Sequence, residues 1–570
     1  MLALCALVVA LRLRGIDFLL PHFEHLDGQV LVRQVEMHRQ SAPVDVNDEF
    51  YGYYPHLLSR LTALWPDPRP TLSNGPALAE QLARAKAHWR ELRVASCLLT
   101  SLTIAGTWLL ARRFFERGWA FAAAALVAGS LLQAVFSTDA RPHGTASAAM
   151  LFAVLASLAL LQKRSFARYL LAGLGSGLAV GALHYGVFVL PCLLVAHFAA
   201  PRAGEKRSVF GLGAALALVA LCVRVFYPFH FSGRGDLFHF GEQQGERVLN
   251  LSGQPLLLER FDGTGFRAIA QSLWSYDPLI LVLASAGSVW LGLRLLRRRA
   301  FGSTERKSEL FVLAVFLVPY ILVIGLYRET WERFLLPLLP YFALAAIAFV
   351  QALARRVAPR LAYGAGGALA SACLFAPGLA LQWHLGSLRR ADDTLEQAAQ
   401  WVEQHCTPEH ERIDMLPYID LPLFHSAAAI AALEDAPWNS RWLYFERYES
   451  PSNRAPRWNV FLPPAATDPT RAEMMRDPLG WWRAHGSQYV VIEADAGGAE
   501  MLGRARADLA RQCELVARFT PLARDDGSNP GVLYRHPFAW DDPFVSLCAR
   551  AERAGPTLEI YRVNGAPSKH

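Results

Sequence analysis

The chain has 570 residues, of which 53% are hydrophobic and only 18% are charged, with a net charge of +7 and a mean hydropathy of +0.21. A soluble chain of this length would be divided among several domains and would carry far more charge. The apolar residues instead collect in long runs, and about 20 such residues span a bilayer. The composition therefore excludes a soluble enzyme, a fibrous protein and a disordered chain, and it predicts a multi-pass membrane protein. The runs include Phe121–Val135, Ala146–Leu161, Val209–Val223 and Phe334–Val350.

The first apolar segment, Met1–Leu11, is short and is followed by two arginines. It lacks a basic start and a small-residue cleavage site, so a first span is favoured over a cleaved signal peptide. The loop that follows, residues 17–90, is then predicted on the external side. Within this loop, residues 24–38 and 57–65 have the apolar spacing of amphipathic helices that lie on a membrane surface.

Five basic clusters orient the spans through the positive-inside rule. If all five face the cytoplasm, the spans between them pair off and total about 11. Residues 169–199 are too long for one span, so they are predicted to break near His184–Tyr185 into two short ones. The clusters are Arg112–Arg117, Lys163–Arg168, Arg202–Arg207, Arg294–Lys307 and Arg355–Arg360. The other spans predicted after the first loop are 119–137, 145–161, 209–227, 274–296, 310–327, 334–354 and 361–383.

Three regions are predicted to be external: loop 17–90, loop 228–272 and the chain after about residue 384. This divides the chain into a membrane domain, residues 1–384, and an external soluble domain, residues 385–570. In the second, helical stretches alternate with short β-rich runs, which indicates a compact α/β domain. It has no Gly-rich phosphate loop and no GxSxG motif, so we assign no catalysis to it. The helices are Thr394–His405, Arg471–His485 and Gly498–Cys513, and the strands are Tyr489–Ile492, Val516–Phe519 and Leu558–Val563.

Ionisable residues gather at the predicted external face of the membrane domain. Charges at membrane depth are costly, so these residues are candidates for function. Arginine binds phosphate oxygens with two hydrogen bonds, and a nearby acid can act as general base on a hydroxyl. The candidates are Asp139, Arg141 and His143 in the turn STDARPHG, His184 and Tyr185 between two short spans, Arg328, Glu329, Glu332 and Arg333 in YRETWERF, and Asp27, Asp48 and Glu49 in the first loop.

Each of these residues also has a purely structural interpretation. Residues 328 and 332, and residues 329 and 333, are spaced i, i+4 and could simply pair on a helix. Asp139 and Arg141 could form a surface ion pair, and such pairs contribute little. His184 could be a core histidine with its hydrogen bonds satisfied. The clustering of all the candidates on one face favours a site.

Together these features resemble the membrane glycosyltransferases of the GT-C fold. The chain is most similar to the bacterial family-39-like branch, which is related to protein O-mannosyltransferases and aminoarabinose transferases. The resemblance covers roughly residues 10–385. It is carried by the segments LRLRGIDFLLPHFEHLDG, YYPHLLSRLTAL, DARPHG, LAGLGSGLAVGALHYG and ERFLLPLLPYFALA.

The resemblance implies a sugar donor on a polyprenyl phosphate and an acid in the first external loop that activates the acceptor. Asp27 occupies the place of that acid, and Arg333 matches a basic residue near the donor phosphate. Three positions depart from the family pattern. The family usually has Asp-Glu where this chain has Asp27–Gly28, an acid where it has His143, and a lysine where it has His184.

We therefore expect an integral membrane glycosyltransferase of a bacterial inner membrane. It would transfer a sugar from a polyprenyl-phosphate donor to a lipid, glycan or protein acceptor on the external side. No metal or other cofactor is predicted, because phosphate is already a good leaving group, and no nucleic-acid partner is predicted. Asp27 is the predicted base; Arg333, Arg328, Arg141 and His184 are the predicted ligands of the donor phosphate; and Asp139, His143, Tyr185, Glu49 and Glu332 are further site candidates.

Two alternatives stay open. A transporter or flippase for lipid-linked saccharides should have polar residues deep in several spans and often an internal repeat. Here the charges lie at one face, which favours a transferase. A catalytically inactive relative that acts as an assembly module is the second alternative, because the acid after Asp27 is missing.

Overall fold

The computed structural model describes a set of ranges that cover most of the chain. Asp27, Asp48 and Glu49 lie outside them, as do the two amphipathic segments expected in the first loop, apart from residue 31. The described residues are 1–20, 31, 54, 78–199, 207–227, 238–243, 246–251, 254–296, 304–357, 359, 365–417, 419, 421–434, 456–464, 469–494, 500–525 and 543–563.

Apolar helices dominate the described chain up to residue 388. Short 3₁₀ segments, His184–Val189 and Glu332–Leu338, precede two of them. The helices are α1 (Leu2–Leu13), α2 (Leu78–Ala111), α3 (Arg117–Gly129), α4 (Leu131–Ser137), α5 (His143–Gln162), α6 (Phe166–Ala182), α7 (Leu190–Phe198), α8 (Val209–Phe226), α9 (Thr264–Tyr276), α10 (Pro278–Leu296), α11 (Thr304–Leu326), α12 (Leu339–Val357) and α13 (Ala365–Leu388).

These helices make the chain a multi-pass membrane protein. In the described ranges, 6 helices are long and apolar enough to cross a membrane, or up to 7 if the bent pair α3 and α4 is one span. Shorter apolar helices lie at Leu2–Leu13, Phe166–Ala182, His184–Phe198 and Pro278–Arg294. The total of about 11 spans stays a prediction.

Residues 169–199 break where the sequence predicts, since α6 ends at Ala182 and the 3₁₀ segment begins at His184. Three other boundaries differ. Helix α2 begins at Leu78, inside the predicted loop 17–90, because residues 78–88 are rich in Ala, Leu, Glu, Lys and Arg, which favour helix. The predicted span 119–137 is two helices bent by 57° at Ser130. The predicted span 274–296 begins only at Pro278, after Asp277.

Asp277 holds the bend between α3 and α4. Its carboxylate accepts hydrogen bonds from the Ser130 hydroxyl at 2.6 Å, from the Leu131 N–H at 2.8 Å and from the Leu132 N–H at 3.3 Å. The two N–H groups lie in the first turn of α4 and have no acceptor within the helix. A carboxylate is favoured at such a helix N-terminus. The chain can therefore break its helix inside the bundle without leaving these donors unsatisfied.

Asp277→Ala is expected to lower the free energy of unfolding by about 3 kcal/mol, because it leaves the Ser130 hydroxyl and two N–H groups buried without an acceptor. Thermal unfolding of the purified chain in detergent measures the change. Ser130→Ala is the comparison, with an expected loss of about 1 kcal/mol for one cap. An unfolding temperature for Asp277→Ala equal to that of the wild type would contradict the role given to this carboxylate.

The described residues of the basic clusters lie at one end of the bundle. Arg113 donates to Glu309 at 2.8 Å, Arg306 reaches the Phe114 carbonyl at 3.5 Å, and Arg164 donates to the Ala199 carbonyl at 2.6 Å. We call this the basic end. Helix α5 runs from His143 to Gln162 and α3 starts at Arg117, so the turn 138–142 between α4 and α5 lies at the other end, which we call the site end.

A small antiparallel sheet follows α8. Its strands, β1 (Phe238–Gln243), β2 (Glu246–Leu251) and β3 (Gln254–Leu257), pair in sequence order. Arg260, just after β3, pairs with Glu246 at 3.0 Å and also with Glu329, which follows α11. The predicted loop 228–272 therefore contains a sheet that is bonded to the site end of the bundle.

The rest of the described chain builds a mixed sheet in the order β5-β4-β6-β8-β7. Strand β4 is parallel to β5 and β6, and β8 is antiparallel to β6 and β7. The elements are α14 (Thr394–His405), β4 (Arg412–Leu416), α15 (Ala427–Glu434), β5 (Asn459–Phe461), α16 (Pro469–Arg476), α17 (Pro478–Ala484), β6 (Tyr489–Glu493), α18 (Glu500–Gln512), β7 (Glu514–Phe519), α19 (Phe544–Arg550) and β8 (Leu558–Arg562).

Helices cover both faces of this sheet. Alternate residues of β6 point to opposite sides, so that Tyr489 and Val491 pack with α14, while Val490 and Ile492 pack with α17 and α18. Three of the predicted strands are observed, and α14 has the predicted bounds. The predicted helix 471–485 is two helices, because Pro478 ends the first and Asp477 caps the second.

The C-terminal sheet unit docks onto the site end through two hydrogen bonds between described residues. The Phe544 N–H donates to the Ser275 hydroxyl at 2.9 Å, and His384 Nε2 lies 3.0 Å from the Ala551 carbonyl. The junction also encloses a polar cavity of about 380 Å³, lined by Asp17, Phe18, Arg389, Asp393 and Glu396 among others.

Asp393 titrates at this junction. Its carboxylate caps α14 by accepting the Leu395 and Glu396 N–H groups, both at 2.8 Å. Burial raises the pKa of Asp393 to about 7, and the charges of Glu396 and Asp392 act in the same direction. A folded-state pKa above the unfolded value means that the native state binds the proton more tightly. The contribution of Asp393 to stability is then fully present below about pH 4 and is lost as the pH rises towards 7.

Asp393→Asn is expected to flatten this pH dependence between about pH 4 and 7, because the amide oxygen still caps the helix but does not ionise. Unfolding temperatures of the full chain across this pH range measure the slope for both proteins. Asp393→Ala should instead lower stability at every pH by about 1 kcal/mol through loss of the cap. Equal slopes for wild type and Asp393→Asn would show that another group titrates there.

Candidate active site

The turn between α4 and α5 contains a buried ion pair. The Asp139 carboxylate accepts the Arg141 backbone N–H at 3.0 Å and the Arg141 Nε at 2.6 Å, and it pairs with the guanidinium again at 2.5 Å. The Arg141 side chain is only 1% exposed. The interpretation of this pair as a surface contact is therefore wrong. Breaking a buried pair is costly, so the turn is held in one shape.

His143 and Arg333 meet next to this turn. Arg333 Nε donates to His143 Nε2 at 3.2 Å, although the two residues are 190 positions apart. Arg333 begins the stretch ahead of α12, and its guanidinium carbon lies 5.2 Å from the centre of the Trp331 ring and 5.4 Å from that of Phe334. A cation held by aromatic faces keeps its charge in a partly dry environment, where it attracts an anion strongly.

Tyr185 and Tyr320 complete the group, which we call the site cluster: His143, Tyr185, Tyr320, Arg333 and Phe334. The Tyr185 ring centre lies 6.1 Å from that of His143 and 5.9 Å from those of Tyr320 and Phe334. The Tyr320 hydroxyl donates to the Phe334 carbonyl at 2.8 Å. Within the part of the chain that the structure describes, the Tyr185 hydroxyl is shielded from solvent and has no hydrogen-bond partner. Buried hydroxyls in proteins are normally hydrogen-bonded, so this one is a candidate donor to a ligand.

His184 has different neighbours from those of Tyr185. Its ring packs against that of Tyr227, at the end of α8, with 4.4 Å between ring centres and a tilt of 36° between the ring planes. This contact does not connect it to the site cluster. His184 and Tyr185 are adjacent in the sequence, but His184 packs against α8 and Tyr185 belongs to the site cluster.

Arg328 and Glu329 do not form the i, i+4 pairs that their spacing allows. Arg328 donates to Asp262 at 2.7 Å in a pair whose arginine is 58% exposed, and Glu329 pairs with Arg260. The Thr264 hydroxyl and N–H, followed by Arg328, lower the pKa of Asp262 to about 2. Glu332, in contrast, is buried at the start of the 3₁₀ segment.

Two residues of the first loop lie against the same region. Leu31 and Tyr54 belong to a buried cluster with Ala140 of the turn and Leu183. The Tyr54 hydroxyl donates to the Thr145 hydroxyl at 2.6 Å. Parts of the first loop therefore contact the turn and the start of α5. The predicted base Asp27 and the candidate Glu49 lie outside the described residues.

Two buried arginines near this turn, Arg93 and Arg389, were not among the residues predicted from the sequence. Arg389 donates to the Thr138 hydroxyl at 2.7 Å, and Arg93 donates to the Ile16 carbonyl at 2.7 Å. The Phe18 ring lies between them, 4.6 Å from the Arg389 guanidinium and 4.3 Å from that of Arg93. Arg93 lies inside the apolar stretch Trp89–Ala111, and a charge at that depth is the signal that could have identified it.

The site cluster offers a fixed cation, an unpaired phenol hydroxyl and a histidine at the site end of the bundle. A guanidinium and a hydroxyl are donors that suit phosphate oxygens. Among the residues that the structure describes, no group of three His, Cys, Asp or Glu side chains is arranged to hold a metal ion. The chemistry that these residues support is anion binding next to the first loop.

A family model described as dolichyl-phosphate-mannose-protein mannosyltransferase matches residues 81–228. ArnT from Cupriavidus metallidurans bound to undecaprenyl phosphate is 12% identical, with 100% of this chain and 99% of that chain covered and a TM-score of 0.46. Its apo state gives 13% identity, the same coverage and a TM-score of 0.43. The apo oligosaccharyltransferase of Archaeoglobus fulgidus gives 13% identity, 86% and 69% coverage and a TM-score of 0.45.

Comparison with curated protein sequences gives no match. The segment matched by the family model includes the turn with Asp139 and Arg141, His143 and the pair His184–Tyr185. The resemblance predicted from the sequence motifs is confirmed there: over residues 81–228 the chain is similar to the dolichyl-phosphate-mannose-protein mannosyltransferases.

Proposed function

We propose that the chain is a membrane glycosyltransferase that moves a sugar from a polyprenyl-phosphate donor to an acceptor hydroxyl at the site end. One observation supports this most directly. The segment that matches the mannosyltransferase family contributes His143 and Tyr185, and these two residues lie with Arg333 in one cluster. A cation beside the family segment suits a phosphate on the leaving lipid.

In this proposal Arg333 and the Tyr185 hydroxyl bind the donor phosphate. The acceptor oxygen attacks the anomeric carbon while its proton passes to the Asp27 carboxylate. The bond between the anomeric carbon and the phosphate oxygen breaks, and its electron pair stays on the phosphate. Arg333 stabilises that charge as it develops, which is the interaction that lowers the barrier.

The other predicted ligands of the donor phosphate contribute less than Arg333 in this proposal, each for a different reason. Arg141 is paired with Asp139 and therefore shapes the turn in addition to adding positive charge. Arg328 is exposed and paired with Asp262, so its effect on a bound phosphate would be screened by water. His184 packs on Tyr227, beside the cluster.

The proposal also includes the side of the membrane on which the reaction takes place. With the basic end in the cytoplasm, as the positive-inside rule requires, the site end and the C-terminal sheet unit face the outside of a bacterial inner membrane. The donor would then be used at the external face. The sugar and the acceptor are left open.

The test is transfer of label from a radiolabelled polyprenyl-phosphate sugar pool in membranes with and without the expressed chain. The expected result is a new labelled product that depends on the chain. A flippase would instead move the labelled lipid across the membrane with no new product. Label that stays in the donor while purified donor lipid is shown to be present would contradict the proposal.

A further inference from the structure

One face of the three-stranded sheet carries a stripe of apolar residues. Phe240 of β1 lies opposite Leu249 of β2, which lies opposite Leu256 of β3. Directly opposed residues share one face of a sheet, so these three form an apolar stripe across it. On the other face, Val248 is buried. The stripe lies on the more exposed face, where Phe240 is 68% exposed and Leu249 and Leu256 are half-buried.

Three more aromatic residues are exposed around the end of α11, where the stretch after β3 is bonded to it: Phe261, Phe266 and Trp331, at 37%, 45% and 39%. We call these residues, with Phe240, the aromatic surface. Phe261 pairs with Tyr327 at the end of α11, and the two ring centres are 4.9 Å apart. The Phe266 ring packs so closely on Gly325 that a side chain at that glycine would collide with it.

The aromatic surface continues the lipid-facing side of α11. That helix crosses the membrane as Arg306–Leu326 and has one stripe of exposed apolar side chains, namely Phe311, Val318, Leu322 and Leu326. Phe266 lies over Gly325, between the last two of these. The backbone is bonded there as well, because the Gly263 N–H donates to the Leu326 carbonyl at 2.9 Å and the Arg328 N–H to the Arg260 carbonyl at 2.7 Å.

We propose that the aromatic surface inserts into the head-group layer of the bilayer in which the chain sits. The surface begins where the exposed stripe of a spanning helix ends, which is the depth at which a membrane has its interface. Trp331 suits that layer because its ring is apolar and its N–H is polar, and exposed phenylalanine rings insert at its boundary with the acyl chains. An outward apolar patch on a sheet bonded to this helix end would otherwise remain in water, which is unfavourable.

The position of the sheet favours lipid over a soluble partner or a second copy of the chain as the group that covers the aromatic surface. The sheet is connected to α8 and α9 by short stretches of chain, and Arg260 pairs it to Glu329 beside the membrane end of α11. It cannot move far from the lipid surface. The patch is thus positioned for lipid before any partner arrives, and apolar insertion should be independent of lipid charge.

The test places a spin label at Phe240→Cys, Phe266→Cys or Leu515→Cys of the full chain in phosphatidylcholine vesicles. Leu515 is the matched control, since it is apolar, 46% exposed and on the edge strand β7 of the other sheet. The exposed Cys373 and the half-buried Cys5 and Cys513 are first replaced by serine. Collisions with oxygen and with a water-soluble nickel complex are then compared.

The measured quantity is the ratio of oxygen collisions to nickel collisions. We expect this ratio to be several-fold higher for labels at 240 and 266 than for the label at 515. Labels at 240 and 266 that match the label at 515 would overturn the proposal and would leave the surface to a soluble partner. A second measurement needs no substitution. A phosphatidylcholine with a diazirine next to its head group should crosslink to peptides within 238–243 or 264–276 of the unmodified chain. Crosslinks to α11 without any to these peptides would also overturn the proposal.

Discussion

Asp27→Asn is expected to reduce sugar transfer by on the order of 10³-fold, because the amide cannot take the proton of the acceptor hydroxyl as the sugar is attacked. The replacement keeps the size of the side chain, so donor binding and unfolding temperature should stay close to those of the wild type. The measurement is label transfer from polyprenyl-phosphate sugar at saturating donor, together with binding of the donor lipid to the purified chain.

Asp17→Asn is the matched control for this replacement. Asp17 is also an acid at the start of the first loop, but it lies 3.6 Å from Arg90 in a half-exposed pair and outside the site cluster. Transfer by this variant should remain within about threefold of the wild type, as for most exposed ion pairs. Full transfer by Asp27→Asn would contradict the assignment of the base and would direct attention to Asp139 or Glu49.

Asp139 and Glu49 are not equally suited to act as the base in place of Asp27. Asp139 accepts three contacts from Arg141, so it would have to break a buried pair before taking a proton from a substrate. It is better suited to hold the turn than to act as a base. Glu49 is an acid of the first loop, five residues before Tyr54, and Tyr54 packs beside the turn. Since Asp139 is held by Arg141, Glu49 is the acid to test next if Asp27→Asn keeps full transfer.

Local patterns predicted the features that depend on neighbouring residues. The break at His184 follows from a span that is too long, and α14 begins at the cap Asp393 and has the predicted bounds. The basic end follows from the spacing of arginines along the chain. These features are encoded within a few turns of helix, so no knowledge of distant contacts is needed to find them.

Contacts between distant residues could not be predicted in this way. Arg12 lies in the bundle, 3.0 Å from the Gln133 side chain, and Asp277 caps a helix that begins 146 residues earlier. Nothing near Asp277 in the sequence indicates the helix that it caps. The same reason explains the wrong i, i+4 pairs of Arg328 and Glu329, whose partners lie in the stretch after β3.

Arg333 illustrates both cases. Its importance was expected from a resemblance in the stretch ERFLLP, but its partner His143 is far away in the chain. Only the fold shows that the cation, the histidine and the unpaired hydroxyl of Tyr185 share one place. This convergence joins separate weak motifs into the one arrangement to which we assign the donor phosphate.

Arg333→Ala is expected to lower kcat for sugar transfer by about 10²-fold to 10³-fold, the loss typical of removing one donor to a developing negative charge. The KM for the donor lipid should change much less, because most of the lost stabilisation belongs to the transition state. Arg333→Lys should recover part of the rate, since lysine keeps the charge and loses the planar fork. Steady-state kinetics of transfer with purified chain and donor give kcat and KM for the wild type, Arg333→Ala and Arg333→Lys.

The matched control is Arg294→Ala. Arg294 also lies over a tryptophan ring, 4.8 Å from the centre of Trp290, but it is exposed and belongs to a basic cluster assigned to the other end of the bundle. Its replacement should leave transfer within about twofold, as for other surface changes. Arg328→Ala should fall between the two, because that arginine is exposed and already paired. If Arg328→Ala instead costs as much as Arg333→Ala, the donor phosphate lies at the surface near Asp262 and not within the site cluster.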